Sequence, residues 1–141
     1  MIVRTILERE SGGTTPDDCG YYIGTMGVAA LDQYLHGSEV PLLGDYMCPD
    51  ITTLERALDL DLDLPHPADA SVLEERLMQL RQRPLWHDPR DGLRTIEELL
   101  ARLPIGERHE GVRSDLECYR QWLQETAAAN DRFRLNVVTH E

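Results

Sequence analysis

The stretch Arg132-Phe-Arg-Leu-Asn-Val-Val-Thr139 alternates apolar and polar residues and carries β-branched side chains, so it reads as a β-strand. Its counterpart lies at the other end of the sequence. Residues 2–9, Ile-Val-Arg-Thr-Ile-Leu-Glu-Arg, are rich in Ile, Val, Thr and Leu and suit a second strand. Between them lie segments of helical periodicity, so the order is strand, helices, strand. The expected fold is α+β, one globular domain over 1–141. The strands 2–9 and 132–139 pair in a small sheet, packed by four to five helices.

Working outward, residues 25–36 read as a helix capped by Thr25, with Val28, Leu31 and Leu35 on one face and Gly37 at its end. Pro41 to Pro49 reads as a loop anchored by Leu42, Leu43 and Tyr46. Thr52-Thr-Leu-Glu55 has the form of a capping box. In 69–83, Leu73, Leu77 and Leu80 make an apolar stripe that Pro84 closes. In 92–103, Leu93, Ile96, Leu99, Leu100 and Leu103 share a face that stops at Pro104. In 110–129, Leu116, Tyr119, Leu123 and Ala127 line one side, with Trp122 close by and Asn130 as the stop. Asp88-Pro89 and Asp91-Gly92 read as turn signals before the helix over 92–103. Trp86 reads as a core anchor.

The unusual bulk property is charge. Asp and Glu number 26 against 14 Lys and Arg, a formal net charge of −12, while the hydrophobic fraction of 41% and charged fraction of 28% are ordinary. Such a chain repels nucleic-acid phosphates and anionic membranes, and no run of basic residues offsets this. A basic protein partner is the expected one, with carboxylates steering the encounter. No apolar run approaches the ~20 residues of a membrane span, and the first ten residues lack a signal-peptide core. The expected location is the cytoplasm.

Chemistry-bearing residues are scattered. Cys19, Cys48 and Cys118 form no CxxC pair, and acids flank Cys19 and Cys48, which disfavours a thiolate nucleophile. His36, His66, His87, His109 and His140 include no pair four residues apart, so no helical metal pair is expected. Gly12-Gly13-Thr14-Thr15 lacks the Gly-Lys-Ser/Thr ending of a phosphate loop. Gly20, Gly24 and Gly27 lack the strand-and-acid setting of a dinucleotide site. Asp59-Leu-Asp-Leu-Asp-Leu64 has a strict period of two, which reads as an extended segment with carboxylates on one side. As a calcium loop it fails, with Leu64 where the turn needs Gly and Ala70 where a bidentate Glu belongs. No cofactor or metal is expected.

The segment Trp86-His-Asp-Pro-Arg-Asp-Gly-Leu-Arg-Thr-Ile-Glu-Glu-Leu-Leu100, with the later helix and Arg132-Phe-Arg-Leu-Asn-Val-Val138, resembles small bacterial cytosolic proteins with no assigned function. The resemblance covers residues 86–138 and implies a bacterial origin, but no activity or site residues. The expected function is a non-catalytic protein-binding module, of the immunity or inhibitor type, that neutralises a basic partner. Its contact residues would be Asp59, Asp61 and Asp63, with Asp45 and Asp50. The alternatives are a small enzyme whose site assembles in space around His87 and Asp88 or Cys48, and a homo-oligomeric structural protein.

Overall fold

The computed structural model describes residues 2–47 and 86–140, together with Glu75 and Met78, both helical and exposed. The chain divides into two compact units, Met1–Met47 with Trp86–Glu141, and Cys48–Leu85. The first unit holds both strands of the sheet. The expected capping box at 52–55, the Asp59–Leu64 segment and, apart from those two residues, the helix over 69–83 lie outside the described residues.

The architecture is α+β, as the sequence predicts. Strand β1 (Ile2–Arg9) pairs antiparallel with β2 (Phe133–His140), in a register running from Ile2↔His140 to Arg9↔Phe133. Four α-helices occur among the described residues of the first unit: α1 (Tyr21–Met26), α2 (Val28–Asp32), α3 (Pro89–Arg102) and α4 (Glu110–Ala128). None is long and apolar enough to cross a membrane.

A two-stranded ribbon is marginal in water, because both strands are edges with unpaired backbone groups. Here loop and side-chain groups of the described residues meet both edges. Along β1, the Thr5 N–H donates to the Gly20 carbonyl, the Leu7 carbonyl accepts from Thr15 N–H, and the Arg9 N–H donates to the Gly13 carbonyl. The Thr15 hydroxyl accepts from Leu7 N–H, and the Tyr119 hydroxyl donates to the Thr5 carbonyl at 2.7 Å. Along β2, the N–H and C=O of Phe133 both pair with His87, at 3.0 and 2.8 Å, and Leu135 bridges to Met47. These outward-pointing polar groups are satisfied, as burial requires.

One face of the ribbon carries Leu7, Phe133 and Leu135 into the core. They meet Ile96, Leu99 and Leu103 from α3 and its end, and Leu116, Tyr119 and Leu123 from α4. The apolar spacing of α3 and α4 thus buries the predicted faces. The helix expected from 92 begins earlier. Asp88 caps it by accepting from the Arg90 N–H, and Pro89 occupies the first turn, where its missing N–H costs nothing. Asp91 and Gly92 are therefore helical rather than a turn. Gly92 is tolerated because the Phe133 ring packs on the bare backbone: a Cβ there would lie 2.6 Å from that ring.

The helix expected over 25–36 is also different. It starts at Tyr21, breaks at Gly27 (φ +94°), resumes as α2 and ends in a 3-10 turn over Gln33–Leu35. Thr25 lies inside α1 and caps nothing. Gly20 precedes the helix with no side chain, and the cap comes from α4, where the buried Asp115 carboxylate accepts from the N–H groups of Tyr22 and Ile23 at 2.9 and 3.1 Å. Gly20 and Gly24 let α1 lie directly on β1. A Cβ at Gly20 would sit 1.8 Å from the Thr5 carbonyl oxygen, and one at Gly24 2.3 Å from that of Val3. In the loop after α2, Leu43 and Tyr46 are buried as expected, whereas Leu42 faces solvent.

Two sets of substitutions test this packing by urea unfolding. Gly20→Ala forces a Cβ into strand backbone at a positive φ, and the expected loss is about 3 kcal/mol. Asp115→Ala strips α1 of its cap and is expected to cost about 2 kcal/mol, while Asp115→Asn, which keeps an acceptor, costs less. Equal losses for both Asp115 variants would contradict the capping role.

Candidate functional site

The described unit does not bring the candidate residues of the sequence together. His87 presents its backbone to β2 and packs its ring edge-on against Tyr46, with centroids 5.2 Å apart, and against Phe133 at 6.2 Å. Asp88 caps α3 and lies 3.9 Å from the Arg90 guanidinium. The two are thus engaged separately, one in an aromatic cluster and the other in a helix cap. Asp45 turns back on its own loop, where its carboxylate accepts from the Leu42 N–H at 3.0 Å. Cys48, Asp50, Asp59, Asp61, Asp63 and His66 lie outside the described residues. Trp86 is half-buried, with the Arg134 guanidinium stacked 4.5 Å from its ring centroid.

Cys19 and Cys118 do meet. The Cys19 thiol is buried beneath α4, 3.9 Å from the Asp115 carbonyl, and near enough to Cys118 to interact with it electrostatically. Burial pushes the Cys19 pKa far up, and the Cys118 thiol, Asp115 and Asp18 push in the same direction. This thiol stays protonated and is a poor nucleophile. Tyr119 behaves alike: burial raises its hydroxyl well above the ordinary range, against the opposing bond to Thr5. Tyr46, buried and bonded to the Thr95 hydroxyl at 3.0 Å, is pushed up to about 12, chiefly by burial. Asp32 accepts from the N–H groups of Leu43 and Gly44 at 2.7 and 2.9 Å, yet burial outweighs them and raises its carboxyl.

Two of the surface hollows among the described residues are lined by arginines. A small one of about 180 Å³ lies at the start of α3 and is lined by Asp88, Arg90, Asp131 and Arg132 among others. Its cations are already neutralised, Arg132 by Glu10 at 2.6 Å and Arg90 by Asp88. The larger is a cleft of about 500 Å³ between α1, the turn after α2 and the start of α4. Tyr22, Thr25, Met26, Tyr34, Arg108, His109 and Val112 line it. The Tyr34 and His109 rings meet edge to face at 6.2 Å and 82°. Arg108 makes no ion pair among the described residues.

Among the described residues His109 is the histidine that lines this cleft, and no group of three metal-ligating side chains occurs among them. Sequence reading does not find the cleft, because its walls come from three separated segments. One local sign exists: Gly111 stands in the first turn of α4, and a Cβ there would lie 2.2 Å from the Tyr22 ring. No family model matches the chain, no curated protein matches it, and no solved structure matches it.

The raised acids set a pH dependence. Cys19, Tyr46 and Tyr119 favour their neutral forms in the folded chain, so their stabilisation is complete below their unfolded pKa values of about 8.5 and 10. It is lost as pH rises from there through the folded values. Thermal unfolding temperature is expected to hold from pH 7 to about 8.5 and to fall steadily above it. The fall becomes shallower in Tyr119→Phe. A melting temperature unchanged up to pH 11 would contradict the assignment.

Proposed function

We propose that the chain is a non-catalytic protein-binding module that covers a cationic protein surface, as an immunity or inhibitor-type protein does. One observation carries this reading: several arginines spend their donors on backbone carbonyls or lie over aromatic rings, while a set of exposed carboxylates is left without an ion pair. Arg4 donates to the carbonyls of Cys19 and Pro16, Arg102 to those of Tyr34 and His36, and Arg113 to those of Leu100 and Leu103. Arg9 and Arg134 lie over the Trp122 and Trp86 rings. Arg9, Arg102 and Arg134 also pair with Glu125, Glu98 and Glu8, but other acids are left unscreened. Among the described residues Asp17, Asp18, Glu107, Glu110 and Glu117 are exposed and form no ion pair.

Three of these carboxylates share one region. Asp17 and Asp18 precede Cys19, Glu117 precedes Cys118, and the two thiols lie near enough to interact electrostatically. Unneutralised carboxylates around one spot favour fast encounter with a basic partner. The sequence assigns further contacts to Asp45, Asp50, Asp59, Asp61 and Asp63. A bacterial, cytoplasmic setting belongs to the same proposal.

The test is capture of partners from the source cell at low salt, followed by binding kinetics with the purified partner. A folded basic protein should associate quickly, and raising the salt should slow association. The triple variant D17R/D18R/E117R should reduce the association rate about tenfold or more. Absence of any partner at low salt, or a partner indifferent to both salt and charge reversal, would sink the proposal.

A further inference from the structure

The large cleft is flanked by Glu107 and Glu110, which are exposed, but shares no residue with the Asp17, Asp18 and Glu117 region. We propose that this cleft binds a small planar aromatic molecule bearing one carboxylate. Its volume of about 500 Å³ falls in the range of small-molecule sites. Its walls are flat or polarizable: Tyr22, Tyr34 and His109 offer rings, and Met26 offers a thioether. Thr25 adds a hydroxyl at the rim.

The sign of the ligand follows from Arg108. Aromatic walls alone would equally suit a quaternary ammonium, which is held over ring faces. A guanidinium lining the same cleft repels such a cation and favours an anion. Arg108 is an exposed arginine with no ion pair among the described residues, in a chain with nearly twice as many acids as bases. Its planar fork matches a carboxylate with two parallel hydrogen bonds. In the smaller hollow, by contrast, both arginines already face carboxylates.

The position of Tyr22 is set by the backbone. Gly111 supplies the bare surface on which the Tyr22 ring rests, and any side chain there would push the ring away. Glycine weakens a helix relative to alanine, so this position spends helix stability on seating the ring. That ring nevertheless stays 61% exposed, which leaves most of it open to a stacking partner. Asp115 fixes the same segment from behind by holding the Tyr22 and Ile23 N–H groups. The wall is thus placed before any ligand arrives, which lowers the entropic cost of binding.

An amide-resolved NMR titration of the whole chain tests the proposal, with naphthoate as probe and naphthamide as its neutral counterpart. Naphthoate should give saturable shifts centred on Tyr22, Tyr34, Arg108, His109 and Val112, and naphthamide should bind about tenfold more weakly. Arg108→Gln, a change at an exposed side chain, should lower naphthoate affinity to that of naphthamide and leave naphthamide unchanged. Gly111→Ala should weaken both. The proposal is overturned by the absence of saturable shifts up to about 10 mM naphthoate, by shifts centred elsewhere, or by an Arg108→Gln variant that binds naphthoate as well as the parent.

Discussion

The fold depends on closing the edges of a two-stranded ribbon. Two strands leave their outer N–H and C=O groups unpaired, and burying such groups without partners costs several kcal/mol. The loop over residues 13–20 serves β1, and the backbones of Met47 and His87 serve β2. Tyr119 adds its hydroxyl from the helical layer, so α4 is tied to the ribbon by a hydrogen bond as well as by packing. The strong rise in its pKa is the electrostatic trace of that burial.

Close approach follows from the same constraint. Four of the glycines in the unit act where one backbone or ring rests on another: Gly20 and Gly24 beneath β1, Gly92 beneath Phe133, and Gly111 beneath Tyr22. Arginine has a matching role, reaching from helix and strand to loop carbonyls that regular structure leaves unsatisfied. Every cation of the chain is an arginine, whose fork can serve two carbonyls at once. The surface acidity is thus partly a by-product of how the interior is held together.

The elements that are local in sequence were legible. The alternation in 2–9 and 132–139 and the apolar faces of α3 and α4 depend on neighbours within a few residues, and Asn130, at φ +53°, ends α4 as its type suggests. What failed was non-local. The start of α1 is held by Asp115, 93 positions away from Tyr22, so Thr25 looked like the better cap. Gly92 read as a turn because the Phe133 ring that accommodates it belongs to the last strand. The cleft has the same character, since Tyr22, Tyr34 and Arg108 come together only in the fold.

The register of the ribbon also fixes an order of events. Leu7 pairs with Leu135, so the sheet joins residues more than a hundred positions apart. Closing a loop of that size costs about 4 kcal/mol in chain entropy before any contact compensates it. During synthesis β1 must wait for more than a hundred further residues to emerge, with its edge offered to other chains meanwhile. The loop over 13–20, close to β1 in sequence, can cover that edge long before β2 exists. The device that completes the native sheet is therefore also placed to guard the nascent strand.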